Sequence, residues 1–249
     1  MNAPANIHVA RAFDRARAYD AAARVQAHAA ARLADRIAAL PLPSDARVLE
    51  IGCGTGLLSA ALVGRIPARR WLLTDIAPAM LARCARRVGD RPDVAFTLLD
   101  GERPDADGPF DLICASFAHQ WFRDLPGAVA RQRALLAPGG RIAFATMAAG
   151  SLAEWDAAHR AATDMPAAMG GYPTPDALRA MGAEVELEQR IETHADARAF
   201  LAGLRDIGAH RPRDPRPPLP APALRRAMAA FEAAGARVTY VIAYGSIAA

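Results

Sequence analysis

The stretch that decides the fold is Val48-Leu49-Glu50-Ile51-Gly52-Cys53-Gly54-Thr55-Gly56. An apolar run of strand character leads into three glycines spaced two apart, and a helix-like segment follows at 57–63. Such a turn lets a ligand approach the backbone closely at the amino terminus of a helix. A dinucleotide-binding turn has the different spacing G-x-G-x-x-G. The stretch therefore predicts a strand–turn–helix unit that binds a ligand of another kind.

Strand-like and helical segments alternate on both sides of this turn as far as Met147. We predict strands at 47–51, 71–74, 94–98, 110–116 and 141–146, and helices at 57–63, 78–88 and 125–136. Alternation at this period indicates a doubly wound α/β fold with a parallel sheet. Beyond Met147 we predict helices at 152–163, 176–181, 196–207 and 224–234, and strands at 184–191 and 238–244.

The length of 249 residues fits a single domain with one core. We divide it into amino-terminal helices over 1–43, which could cover a site, a ligand-binding core over 44–147, and a substrate-side region over 148–249. One or two amphipathic helices are expected between 13 and 40, where Tyr19, Val25, Leu33 and Ile37 follow a helical spacing. Residues 210–222 are rich in proline and arginine and are expected to form an extended loop.

The net charge is +4, and all 30 residues counted as lysine or arginine are arginine. This charge suits a nucleic acid, an acidic carrier protein or an anionic small molecule, and does not choose among them. Three cysteines lie far apart, which fits a reduced, cytoplasmic compartment. We find no signal peptide and no apolar run of membrane-spanning length, so no membrane association is expected.

Acidic residues follow the predicted strands at the edge where the glycine turn lies. Asp75 ends the second strand, about twenty residues beyond the turn, where a carboxylate can accept hydrogen bonds from both hydroxyls of a ribose. Asp100 follows the third strand in Leu98-Leu99-Asp100-Gly101-Glu102. Each aspartate alone fits an ordinary strand-end turn, but together with the glycine turn they indicate a nucleoside site.

These features resemble the class I methyltransferases, which use S-adenosylmethionine (SAM) on a Rossmann-like fold. The resemblance implies a mostly parallel seven-stranded sheet with helices on both faces and a helical lid insertion. It implies that Glu50, Gly52, Gly54 and Gly56 hold the methionine part of the cofactor and that Asp75 holds the ribose. The remaining implied contacts are Asp100, to the adenine amino group, and Ser116, at the end of the fourth strand. Leu99 stands where the family usually has glycine.

Further segments resemble one subfamily, the malonyl-acyl-carrier-protein O-methyltransferases of biotin synthesis, over nearly the whole chain. They are Phe13-Asp14-Arg15-Ala16, Tyr19-Asp20, Gln120-Trp121, Gly150-Ser151-Leu152, Tyr172, Pro175-Asp176, Leu204-Arg205 and Thr239-Tyr240. The resemblance implies an enzyme that methylates the free carboxylate of a malonyl thioester carried on acyl-carrier protein or coenzyme A. It implies a monomer without a metal site and without a nucleic-acid partner.

The subfamily resemblance also implies which side chains meet the substrate. Tyr19 would donate its hydroxyl to the malonyl carboxylate, and Tyr172 would pack in the same pocket. Arg205 would hold the carboxylate or the phosphate of the carrier's prosthetic group. Core packing of the two tyrosines and a solvated helix face for Arg205 remain alternatives. Gln120-Trp121 is expected beside the transfer centre, and His119 is either a base or a hydrogen-bonded structural residue.

Two other functions remain open at the level of sequence. One is a methyltransferase for another small carboxylic acid or a quinone precursor, which would act without a carrier protein. The other is an assembly factor on the same scaffold that forms no methyl ester and keeps a stable protein partner.

Overall fold

The computed structural model describes residues 7–14, 19–167, 171–209 and 218–249. Most of the 210–222 loop, and the segments 1–6, 15–18 and 168–170, lie outside the described residues. No helix among the described residues is both long enough and apolar enough to cross a membrane.

The strands lie close to the predicted positions. They are β1 (Ala46–Ile51), β2 (Ala68–Asp75), β3 (Val94–Leu98), β4 (Phe110–Ser116), β5 (Leu136–Met147), β6 (Glu184–Thr193) and β7 (Arg237–Ala248). The first helices are α1 (Ile7–Asp14), α2 (Tyr19–Ala22), α3 (Arg24–Ala38), α4 (Leu57–Leu62) and α5 (Pro78–Val88). The later helices are α6 (Leu125–Arg133), α7 (Ala153–Thr163), α8 (Pro175–Ala180), α9 (Ala197–Asp206) and α10 (Ala221–Ala233).

The seven strands form one sheet in the order β3-β2-β1-β4-β5-β7-β6. Strands β1 to β5 are parallel, whereas β7 runs antiparallel to both of its neighbours. The chain winds outward in one direction from β1 to β3 and in the other direction from β4 onward. Ligands in such sheets bind at the carboxyl ends of the strands beside this reversal. The expected α/β fold with a mostly parallel seven-stranded sheet is confirmed.

The amino-terminal region differs from its prediction. Helices α2 and α3 lie in the range between 13 and 40 where one or two helices were expected, whereas α1, described from Ile7, lies mostly before it. Helix α3 supplies most of the burial here, through an apolar face that includes Val25, Leu33 and Ile37. Two polar residues of α3 contact the edge strand β6, with His28 Nε2 2.6 Å from Glu188 Oε1 and Arg36 paired with Glu186 at 2.6 Å.

Hydrophobic residues fill both faces of the sheet. On one face, helices α7, α9 and α10 pack through three aromatic rings, those of Trp155, Phe200 and Phe231, whose centroids lie 5.1 to 5.6 Å apart. At the start of β1, the backbone N–H of Arg47 donates to the carboxylate of Asp111 at 2.8 Å. Asp111 therefore ties β4 to the start of β1.

Candidate functional site

A cavity of about 850 Å³ opens at the carboxyl ends of β1, β2 and β4. The glycine turn and the ends of these strands form its floor, and side chains of α1, α2 and α3 form part of its roof. Its polar and charged side chains are Tyr19, Gln26, Glu50, Thr55, Asp75, Asp100 and Ser116.

The glycine turn presents bare backbone to this cavity. Gly54 has φ of +56°, and apart from its two chain neighbours no described residue has an atom within 4 Å of the position that a Cβ atom would take. Gly52, at φ +67°, is closely packed, because a Cβ there would stand 2.7 Å from that of Ala118. Gly56 does not line the cavity; it lets α4 approach Cys84 of α5, whose Sγ would be 3.1 Å from an added Cβ. Two of the three predicted glycines therefore face the cavity, and the third serves helix packing.

Asp75 is buried at the end of β2 with both carboxylate oxygens directed by backbone donors. The N–H of Gly54 donates to one oxygen at 2.8 Å, and the N–H of Ala77 donates to the other at 2.8 Å. Burial raises the pKa of Asp75 from 3.8 to about 6, although these hydrogen bonds act in the opposite direction. Each oxygen retains a lone pair for a donor in the cavity.

Glu50 lies at the end of β1 and is almost completely buried. The Ser59 hydroxyl donates to its Oε2 at 2.7 Å. Burial raises the pKa of Glu50 well above its ordinary value, with the Ser59 hydrogen bond opposing the rise. A cation placed in the cavity would stabilise the ionised carboxylate.

Asp100 and Ser116, which the resemblance implies as cofactor contacts, both line the cavity. The Asp100 carboxylate accepts from the N–H of Glu102 at 3.0 Å. Leu99 occupies the family's glycine position with an ordinary backbone, and the close approach occurs at Gly101, where a Cβ would stand 2.1 Å from Ile51 Cγ2.

Tyr19 reaches the cavity from α2, beside two other aromatic residues. The Phe13 ring stands edge-on to Tyr19, with centroids 6.4 Å apart, and edge-on to Trp121 at 5.4 Å. Burial, together with the nearby charges of Asp75 and Asp20, raises the pKa of Tyr19. Its hydroxyl therefore stays protonated and is a potential hydrogen-bond donor over the cavity.

The other two residues predicted to meet the substrate are not among the described residues that line this cavity. Tyr172 is half-buried and packs against the main hydrophobic core. Arg205 is exposed in the last turn of α9. Their roles toward a substrate remain predictions.

Gln120 and His119 point away from the cavity. Gln120 is buried, and its Oε1 accepts from the Thr146 hydroxyl at 3.1 Å and from the Met147 N–H at 3.3 Å. Only Trp121 of the Gln120-Trp121 pair lines the cavity. The His119 ring lies 3.2 Å from Gln132 between aromatic neighbours, and burial lowers its pKa to about 4. The structure thus favours the structural interpretation of His119.

Three polar residues of this region were not predicted from the sequence to have a role. Ser59 orients Glu50, and the Thr55 hydroxyl donates to Asp20 at 2.6 Å. Asp20 directly follows Tyr19 in the chain, and this position was the one signal in the sequence for its presence near the cavity. The residues that it contacts, Thr55 and Arg87, are 35 and 67 residues away in sequence.

Comparisons with known proteins agree with this geometry. A family described as a methyltransferase domain matches residues 49–142. Among solved structures, the YcgJ protein of Bacillus subtilis superposes with a TM-score of 0.59 at 15% identity, over 88% of this chain and 97% of that one. The complex of DhpI with S-adenosylhomocysteine (SAH) has a TM-score of 0.54 at 21% identity, over 74% of this chain and 89% of that one. These similarities establish the fold.

Two curated relatives are much closer in sequence. The biotin biosynthesis bifunctional protein BioCD of Bordetella avium is 46% identical over 95% of this chain, which spans only 51% of that protein. The malonyl-acyl-carrier-protein O-methyltransferase of Magnetococcus marinus is 40% identical over 96% of this chain and 92% of its own length. Because this second match covers nearly all of both proteins, the chain belongs to the malonyl-acyl-carrier-protein O-methyltransferase family.

Proposed function

We propose that this protein transfers the methyl group of SAM to the free carboxylate of a malonyl thioester carried on acyl-carrier protein, an early step of biotin synthesis. The observation that carries the proposal is a single cavity in which nucleoside-type acceptors lie opposite a tyrosine donor, Tyr19. The two relatives named above support the substrate, since one is a methyltransferase of this name and the other a biotin-synthesis protein.

The cavity fits the cofactor. Asp75 keeps one lone pair on each oxygen for the two ribose hydroxyls, and Asp100 offers an acceptor for the adenine amino group. The buried carboxylate of Glu50 suits the ammonium group of the methionine part, because a cation offsets the penalty of ionising it there. The side-chain-free turn at Gly54 leaves room for close contact.

The bound cofactor supplies a methyl group on a positively charged sulfonium. A malonyl carboxylate is ionised at neutral pH, since ordinary carboxyl pKa values are about 4, so transfer to it requires no general base. In agreement, histidine and lysine are absent from the described residues that line the cavity. The residues of the cavity therefore contribute orientation rather than proton transfer.

Tyr19 orients the acceptor by donating its hydroxyl to one carboxylate oxygen and leaving the other directed at the methyl group. Phe13 and Trp121 help to exclude water, which favours a reaction in which opposite charges neutralise each other. In well-oriented reactions, positioning of this kind lowers the activation free energy by up to about 7–11 kcal/mol.

The carrier protein and the remaining contacts belong to the same proposal. An acyl-carrier protein is acidic and is attracted by a protein of net charge +4. Tyr172 packs beside the malonyl group, and the exposed Arg205 holds an anionic group of the substrate or its carrier. The protein acts as a cytoplasmic monomer and binds no nucleic acid.

A transfer assay with labelled SAM tests the proposal. Malonyl-carrier protein, malonyl-coenzyme A and acetyl-carrier protein are compared as acceptors, with the product mass determined. One added methyl group on the malonyl species alone is the expected result. Cofactor binding without any labelled malonyl thioester would refute the substrate and favour another small acid or the assembly-factor role.

A further inference from the structure

The amino-terminal helices are attached to the cofactor side of the cavity by a carboxylate on α2. Asp20 Oδ1 accepts from the Thr55 hydroxyl at 2.6 Å, and Oδ2 pairs with Arg87 at 2.5 Å. Thr55 lies buried within the glycine turn, and Arg87 lies in the last turn of α5. One side chain of the roof thus bridges two elements of the floor.

A second carboxylate provides another attachment on the same side. Asp14, the last residue of α1, accepts from the backbone N–H of Ala79 at 3.0 Å. Ala79 is in the first turn of α5, where N–H groups have no partner within the helix and the helix dipole favours an anion. Asp14 and Asp20 directly follow the two aromatic residues, Phe13 and Tyr19, that reach over the cavity.

The contact between Asp20 and Thr55 gives the roof a direct connection to the turn that holds the cofactor. Thr55 follows Gly54 immediately, so a shift of the turn on ligand binding would move the hydroxyl from which Asp20 accepts its hydrogen bond. The aliphatic part of Arg87 lies against Gly56 of the same turn, with Cδ 3.4 Å from the position of an added Cβ. Both partners of Asp20 therefore lie in or beside the glycine turn.

We propose that Asp20 is a positioning residue, a latch that closes α1 and α2 over the cofactor and thereby holds Tyr19 at the transfer site. The role of the latch in catalysis rests on the proposed function, whereas its effect on lid closure does not. Because Asp20 contacts no reacting atom, its loss opens the roof and leaves the acceptors Asp75 and Asp100 in place.

Asp20→Ala is the main variant, and Thr55→Val and Thr55→Ser separate the hydroxyl from the shape of residue 55. Asp35→Ala is the matched control, because Asp35 also forms an ion pair with an arginine, Arg65, at 2.7 Å. The carboxylates are comparably exposed, with side-chain exposures of 54% for Asp35 and 50% for Asp20. Both ion pairs lie at the surface, so the control reports the generic effect of losing one.

The first measurement is amide hydrogen exchange of residues 7–14 and 19–22 in the protein without cofactor. The second is the dissociation rate of SAH by stopped-flow fluorescence, since Trp121 lines the cavity and contacts Phe13. We expect Asp20→Ala and Thr55→Val each to raise both rates about tenfold, the size expected for one hydrogen bond to a charged group. Thr55→Ser and Asp35→Ala should stay near wild type in both rates, and no variant should lower the thermal midpoint by more than about 2–4 °C.

Combining Asp20→Ala with Thr55→Val should add little to either single variant, because both remove the same contact. For the enzyme, kcat should fall about tenfold in Asp20→Ala with a smaller change in KM for the malonyl substrate. Wild-type exchange and dissociation rates in Asp20→Ala, or full additivity in the double variant, would overturn the latch. If wild type methylates no malonyl thioester and Asp20→Ala still opens the lid, the proposed substrate is wrong and the latch stands.

Discussion

We expect Asp75 to make cofactor binding dependent on pH in a range where most carboxylates are already ionised. Burial raises its pKa from 3.8 to about 6, and each oxygen already accepts one backbone N–H. A shift of about two units corresponds to about 3 kcal/mol, which the folded protein spends to keep this group ionised at pH 7. Ribose hydroxyls donating to Asp75 would recover part of that free energy.

The direction of the pH dependence follows from the number of hydrogen-bond acceptors on Asp75. Protonation places a hydrogen on one Asp75 oxygen and removes the site for one ribose hydroxyl, so affinity falls as the pH drops through 6. With a pKa of about 6, roughly a tenth of the empty protein is ionised at pH 5, and the Kd for SAM should be about tenfold weaker there than at pH 8. Above about pH 7 the contribution of Asp75 should be constant.

Isothermal titration calorimetry between pH 5 and pH 8 measures this dependence, and buffers of different ionisation enthalpy count the released protons. Below pH 6, binding should release close to one proton from Asp75. Asp75→Asn should bind more weakly at pH 8 and should lack this component of the profile. Because Glu50 also has a raised pKa, the difference between wild type and Asp75→Asn isolates Asp75. A wild-type profile that matches the variant in slope and proton count would refute the reasoning.

Three further substitutions test the site. Tyr19→Phe removes one hydrogen-bond donor to the malonyl carboxylate and should raise KM for the malonyl substrate or lower kcat by about tenfold or more. SAM affinity, measured by calorimetry, should be unchanged. Wild-type kinetics in this variant would show that the Tyr19 hydroxyl does not bind the carboxylate. His119→Phe should retain transfer within a few fold while lowering the free energy of unfolding by about 1–3 kcal/mol in urea titration, because Gln132 loses its buried partner. A loss of about 100-fold or more would instead make His119 a base. Gly54→Ala should weaken SAM binding at least tenfold, since the residue is held at φ +56° and its methyl group would occupy the cavity; calorimetry showing wild-type affinity would contradict this.

The core of the fold could be predicted because its signals are local. The bounds of α5, β3 and β4 agree with their predictions, since each of these runs of strand or helix period begins at or directly after a proline or a charged residue. Strand β5 is longer than predicted, because it pairs with β4 back to Leu136, through Pro138-Gly139-Gly140, across an irregularity in the register. That extension depends on a partner strand and has no local signal.

The site was predictable where the backbone topology determines it. Asp75 and Asp100 follow strands whose carboxyl ends meet at one edge, so a parallel sheet brings them together. The orientation of Gln120 was predicted less well, because its partners, Thr146 and Met147, come from the neighbouring strand β5 and turn the side chain inward. Contacts between segments far apart in sequence, such as Asp20 with Arg87, leave no periodic pattern to detect.

The position of β7 has a consequence for how the protein forms during synthesis. Strand β6 pairs only with β7 among the described strands, and β7 also completes the far side of β5. While a ribosome is still adding residues 237–248, β6 has no partner strand and β5 presents a free edge. The nascent chain can pair β1 to β4 early, but the sheet is completed only after β7 has emerged. Chaperones that shield exposed strand edges would therefore act on this protein until β7 has emerged.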